Sequence, residues 1–299
     1  FFMQHFEPYR IVRYNGSRRE ETGLVTGYYE PQLLGSRTPS EQFHAPLYAP
    51  PPDLLIVDLA SLYPELKGMR LRGRLEGNRV VPYYSRAELE SNPAVRGKEI
   101  VWVNDALDAF MLQIQGSGRV MLPTGEVIRL QYADQNGHPY RSIGRWLVDQ
   151  GLLTAEQATM PGIRAWLAAN PSRLQEVLNA NPSVVFFREE PLADPSQGPK
   201  GAQGIPLTAG RSIAVDPAFV PLGTPVFLAT TFPASTVPLQ RLVIAQDTGG
   251  AIRGAARADF FWGTGPAAGE LAGKMRQQGR MWMLWPRNVP LPASGAAGG

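Results

Sequence analysis

Short apolar runs, broken every few positions by Gly, Pro, Asp or Asn, set the pattern of this chain. Residues 23–30, Gly-Leu-Val-Thr-Gly-Tyr-Tyr-Glu, read as a strand that Pro31 ends. A Pro-rich, extended connection follows to Pro50-Pro51-Pro52. Residues 85–92 hold a helical turn, 99–103 a strand, and Asp105 or Asn104 caps a short helix over 106–111. Residues 113–122 and 126–133 read as a hairpin joined by Pro123-Thr124-Gly125. Helical periodicity marks 142–150 with Ser142 as cap and Gly151 as stop, 160–170 after Thr159, and 172–180. The Pro residues at 171 and 182 break the last two. Residues 184–187 form a short apolar strand, and 189–204, rich in Pro, Gly, Asp and Ser, reads as a linker. Beyond it comes a strand-dense block, 212–215, 225–229, 239–246 and 280–285, interrupted by one helix over 266–278.

Composition narrows this picture. With 299 residues there is room for about two domains, and 43% hydrophobic residues imply a packed core. Thirty-one Gly and 28 Pro with many short runs favour a mainly β protein with some helix. The net charge of +3 comes without a dense Lys/Arg cluster, so no nucleic-acid partner is expected. Cys is absent, which removes disulfides, thiolate nucleophiles and thiolate metal sites. The three His, His5, His44 and His138, lie far apart, and no Gly-x-Ser-x-Gly elbow occurs; no metal or cofactor is expected. No segment is long and apolar enough to span a bilayer, and the chain reads as the mature or trimmed portion of a protein.

The segment 242–265 carries the most chemistry. A buried-type strand runs into Asp247, a Gly-Gly turn follows, and a second carboxylate, Asp259, abuts Phe260, Phe261 and Trp262. Apolar neighbours favour the protonated form of Asp259, whereas polar neighbours favour a charged Asp247: a proton donor beside an anion. Asp before Gly-Gly is equally ordinary turn chemistry, and Asp216-Pro217 reads as a turn start. Arg253 and Arg257 flank Asp259, and either one orients a carboxylate or substrate, or is simply solvated. Gln113, Gln115 and Ser117 alternate around glycine, suiting a hydroxyl-rich sugar or a bulged strand. Thr26, Tyr28 and Glu30 offer a hydroxyl, an aromatic face and a carboxylate, as a sugar site or a plain core strand would. His138, in the Asn136-Gly137-His138-Pro139-Tyr140 turn, reads as structural.

Five blocks in order carry a resemblance: Thr26-Gly27-Tyr28-Tyr29-Glu30-Pro31, Gln115-Gly116-Ser117-Gly118, Tyr132 with 136–144, Asn181-Pro182-Ser183 with Phe186-Phe187, and 247–254 with Asp259. Together they resemble the membrane-bound lytic transglycosylase A family over roughly residues 20 to 286, with Asp216, Asp247 and Asp259 matching its three-aspartate domain. The resemblance implies a double-psi β-barrel domain from 1–31 and 193–299, a smaller β-rich domain inserted at 32–192, and a glycan groove between them. It implies peptidoglycan glycan strands as the partner, with cleavage of the β-1,4 bond between N-acetylmuramic acid and N-acetylglucosamine to a 1,6-anhydro product. Asp259 is then the acid and base, Asp247 its support, and Thr26, Tyr28, Glu30, Gln115, Ser117 and Arg253 the substrate contacts. The implied location is the periplasmic side of a Gram-negative outer membrane, with a lipid anchor outside this sequence, since no lipobox Cys is present. A monomer is the expectation. Two rival functions stay open, a hydrolase of the same bond and a noncatalytic wall-binding module. An aspartic protease fits poorly, because Asp247-Thr248-Gly249 has no second copy around Asp259-Phe260.

Overall fold

The computed structural model describes residues 1–66, 69, 71–192 and 194–291. The chain divides into two compact units, one formed by Phe1–Pro31 with Ala193–Gly299 and the other by Gln32–Leu192. Strands dominate the first, while strands and helices are about evenly matched in the second.

The first unit is a closed sheet. Its strands are β1 (Gly23–Glu30), β2 (Ser212–Val215), β3 (Pro225–Thr231), β4 (Pro238–Asp247), β5 (Ala258–Thr264) and β6 (Arg276–Pro286), with helix α1 (Pro266–Lys274) between the last two. Around the ring the order is β6-β3-β4-β2-β5-β1, and β1 pairs back onto β6. The pairs β4/β2 and β5/β1 are parallel, while the others are antiparallel. Closure depends on the length of β6, whose first residues pair with β1 and whose residues from Arg280 onward pair with β3. A further strand, Phe6–Arg10, pairs with the far end of β6. Part of the segment ahead of β1 is therefore sheet.

Alternation fills the barrel. Val25, Ile213, Val215, Val226, Leu228, Val243, Ala245, Ala258, Phe260 and Met281 form one buried cluster. Each Val or Leu so enclosed contributes about 1.5–3 kcal/mol of transfer free energy. The seam between β1 and the turn before β5 is tight, because a Cβ at Gly23 would stand 1.7 Å from the Ala256 carbonyl oxygen. Only glycine permits that approach. The helix expected over 266–278 ends at Lys274, since the following residues are taken up by β6.

The second unit holds a six-stranded sheet in the order Val185–Glu190, Val127–Gln135, Ser117–Met121, Gln32–Ser36, Glu99–Val103 and Ala45–Tyr48. A three-stranded sheet (Leu55–Ile56, Arg72–Glu76, Arg79–Pro82) and a helical cluster accompany it. Helix caps fall where the sequence puts them: Ser142 accepts from the Arg145 amide, Thr159 from that of Gly162, and Asp105 from that of Asp108.

The 113–122 strand needs correction. The helix from Ala106 runs on to Gln115, and the strand begins only at Ser117. Leu107, Phe110, Met111 and Ile114 keep a helical spacing past Met111, and Gly116, at φ +78°, supplies the left-handed stop. Helix 172–180 likewise resolves into a 3-10 turn, Pro171–Arg173, and a short helix, Leu174–Asn179. The Asn136 block ties loops together: the Asn136 amide donates to the carbonyls of Tyr84 and Pro182 at 2.8 Å and accepts from the Val184 amide at 2.9 Å. His138 Nε2 lies 2.7 Å from the Tyr83 carbonyl oxygen, in keeping with a structural turn.

Candidate active site

Strand order brings the carboxylates together. On β2, Ala214 is the register partner of both Asp247, at the end of β4, and Asp259, at the start of β5. Two strand spacings put these two backbones about 10 Å apart. On the other side of β5 the parallel register sets Thr26 of β1 beside Asp259 and Tyr28 beside Phe261. Because Val25, Ala258 and Phe260 face the barrel core, Thr26 and Asp259 stand on the opposite face.

Side-chain contacts follow that register. The Thr26 hydroxyl donates to Asp259 Oδ1 at 2.6 Å. The Tyr28 hydroxyl donates to Asp247 Oδ2 at 3.1 Å, and its ring centroid lies 5.2 Å from that of buried Phe261. Asp247 Oδ1 accepts from the backbone amides of Ala202 and Thr248, both at 2.9 Å. Three donors converge on Asp247, the setting of an ionised carboxylate. Among the described residues Asp259 has the Thr26 hydroxyl alone in that role, and burial pushes its carboxyl from the ordinary 3.8 up to about 6. The Thr26 hydrogen bond and the Arg257 charge pull it back, while the Asp247 charge adds to the rise. Burial, then the charges of Asp247 and Asp259, hold the Tyr28 phenol well above its usual range, so it remains a donor. The arrangement is thus a half-buried acid that titrates near neutrality, beside a fixed anion. That pairing can give a proton and take it back.

A family model described as the MltA specific insert domain matches residues 24–188, more than half the chain, and one described as the 3D domain matches 211–285. The chain belongs to the MltA family. Membrane-bound lytic murein transglycosylase A of Escherichia coli K12 is 32% identical over 266 residues, covering 87% of this chain and 64% of that protein. The chain therefore spans just under two thirds of that relative's length. The crystal structure of MltA from Neisseria gonorrhoeae in its monoclinic form superposes with a TM-score of 0.80 at 41% identity, covering 97% of this chain and 78% of that one. That of E. coli MltA with bound chitohexaose gives 0.75 at 30%, covering 94% and 76%.

Within this MltA-family barrel the remaining residues named from the sequence fall into different settings. Glu30 is fully enclosed, its carboxylate accepting the Thr264 hydroxyl at 2.9 Å, so as placed it offers no surface to a sugar. Arg253 is 65% exposed and stands 4.0 Å from Asp216 rather than beside Asp259. Asp216 accepts from the amides of Ala218 at 3.1 Å and Gly254 at 2.8 Å, which fixes the turn before β5. Gln115 and Ser117 belong to the second unit; Gln115 ends a helix, and Ser117, 6% exposed, opens a strand. On the same helix, Gln113 Oε1 accepts from Arg86 at 2.8 Å. The residue that sequence reasoning underweighted is Arg257, whose Nη2 donates to Thr26 Oγ1 at 2.8 Å. Its signal was present: two positions before Asp259, an extended chain puts it on the same face. Among the described residues no group of three or more His, Cys, Asp or Glu could hold a metal ion.

Proposed function

We propose that this chain is a lytic transglycosylase that cleaves the β-1,4 bond between N-acetylmuramic acid and N-acetylglucosamine in peptidoglycan and leaves a 1,6-anhydro end. The observation that carries this reading is the Asp259 carboxyl, raised to about 6 by burial and hydrogen-bonded by the Thr26 hydroxyl. A relative that bears the lytic murein transglycosylase name and a relative whose structure holds chitohexaose, a β-1,4-linked amino-sugar chain, support the substrate class.

Neutral Asp259 gives its proton to the glycosidic oxygen as the C1–O bond breaks. Positive charge grows at C1, and the Asp247 carboxylate, together with the sugar's own N-acetyl oxygen, offsets it. The C6 hydroxyl then attacks C1 and returns its proton to Asp259. The carboxyl is restored, and no water is consumed. A group near 6 serves both halves of the cycle, since roughly a tenth remains protonated at pH 7 while the rest can act as base. Thr26 and Tyr28 position the two carboxylates. Gln115 and Ser117 are carried as sugar contacts of the inserted unit, while Glu30 supports the barrel end. In the same reading the closed six-stranded sheet is a double-psi β-barrel, and the enzyme works on the periplasmic side of the outer membrane as a lipid-anchored protein.

Digestion of purified sacculi tests the reading. Mass spectrometry of the released fragments should find anhydro ends; reducing ends would mean hydrolysis, and binding without release a noncatalytic module. Asp259→Asn or Asp259→Ala should abolish release while leaving binding to sacculi intact.

A further inference from the structure

Arg257 is bound on three sides. Its Nη1 donates to the main-chain oxygens of Leu24, at 3.3 Å, and of Ala258, and its Nη2 donates to Thr26 Oγ1 at 2.8 Å. A guanidinium has donors and no acceptor. The one proton of the Thr26 hydroxyl therefore cannot point at Arg257, and it is committed to Asp259 Oδ1, 2.6 Å away. Oδ1 is thereby occupied as an acceptor. Among the described residues nothing donates to Oδ2.

We propose that Arg257 is a positioning residue that decides, through the Thr26 hydroxyl, which oxygen of Asp259 carries the acid proton. Oδ1 is held as an acceptor, and Oδ2 is the oxygen that gives the proton to the leaving group and takes it back from the C6 hydroxyl. This rests on Asp259 being the acid and base. The groups facing Asp259 are Thr26 from β1, Asp247 from β4, Arg257 from the segment before β5, and Tyr28, whose phenol feels both carboxylates. Without Arg257 the Thr26 hydroxyl is free to rotate and to accept from a protonated Oδ1, so the acid proton spreads over both oxygens. The carboxylate form also loses a cationic neighbour and an enforced donor, so Asp259 should titrate higher.

The test is the pH dependence of kcat and KM on soluble glycan strands for the wild type, Arg257→Met, Thr26→Val, Thr26→Ser and the Arg257→Met/Thr26→Val double variant. Arg257→Met and Thr26→Val should each lower kcat at pH 7 about tenfold and move the limb set by Asp259 up by about one pH unit, with KM within about twofold. Thr26→Ser, which keeps the hydroxyl, should stay within about twofold of wild type. The double variant should be no worse than the poorer single one, because both break one chain of contacts. Losses in kcat that multiply in the double variant would mean that Arg257 acts apart from the Thr26 hydroxyl and would overturn the proposal. So would an Arg257→Met profile that superimposes on wild type. If Arg257→Met does not fold, the Thr26 pair decides: a Thr26→Val profile matching Thr26→Ser overturns the proposal. Asp259→Asn separates the two claims. Anhydro products from that variant would defeat the acid/base reading itself, whereas an inactive Asp259→Asn with an unshifted Arg257→Met profile defeats only the positioning.

Discussion

Replacing Asp259 by Asn should make the protein more stable at neutral pH, and the gain follows from the carboxyl's titration. The folded chain holds this acid at about 6, against an ordinary value of 3.8. A carboxyl raised on folding binds its proton more tightly in the folded state than in the unfolded one. Its neutral form therefore costs nothing below about pH 4, and the penalty grows as pH rises through 6 and then levels off. A shift of this size corresponds to about 3 kcal/mol at pH 8. Asn is the neutral form made permanent, and its oxygen still accepts the Thr26 hydroxyl.

The expected result is a pair of stability curves that coincide near pH 4 and separate by up to about 3 kcal/mol at pH 8, with the variant above. For a chain of 299 residues melting as one unit, that is a rise in Tm of roughly 5 °C. Melting followed by circular dichroism at half-unit steps from pH 4 to 8 measures the separation. Equal melting curves at every pH, or a variant less stable at pH 8 than at pH 4 relative to wild type, would refute the claim that burial dominates at Asp259. Holding the proposed acid near neutrality at the expense of stability is what a stability–activity trade-off looks like at one residue.

Other substitutions test the surrounding frame. Gly23→Ala drives a methyl into the Ala256 carbonyl and should destabilise the barrel by about 1–3 kcal/mol or prevent folding, read from soluble yield and Tm. Leu228→Ala, at a fully buried position of β3, should cost about 2–5 kcal/mol in denaturant unfolding. Thr264→Val removes a donor to the enclosed Glu30 side chain and should cost about 1.5–3 kcal/mol in denaturant unfolding. Arg253→Ala should change stability by less than about 0.5 kcal/mol and leave murein release within about twofold, because the side chain is mostly exposed and its ion pair is long.

Much of the barrel was legible because its strands obey simple rules. Residues 23–30 and 212–215 alternate or run apolar between clear stops, and both become strands with those bounds. Helix caps at Ser142 and Thr159 were visible for the same reason, since a side-chain oxygen before an apolar-periodic run has one common use. Gln113 and Gln115 misled because two amides spaced by two around a glycine fit a strand, although the apolar positions preceding them keep a helical period. The strand 258–264 carries no alternating polar pattern: Phe260 and Phe261 are both buried, one against the barrel core and one against Tyr28. A strand covered on both faces loses the period-two signal.

What no local pattern could give is the register. Asp247 and Asp259 are twelve positions apart and become neighbours only because β2, more than thirty residues earlier, lies between their strands and pairs with both through Ala214. Thr26, more than two hundred residues away, reaches Asp259 only because β1 is drawn into the ring between β5 and β6. The aromatic neighbours of Asp259 were the right clue to its desolvation but told nothing of its partners. The donors that separate the two aspartates among the described residues, the Tyr28 hydroxyl and the Ala202 and Thr248 amides on Asp247 against the Thr26 hydroxyl on Asp259, come from three different segments of chain. Burial at Asp259 and converging donors at Asp247, more than any difference in the residues themselves, let two identical side chains sit as an acid and an anion in one site.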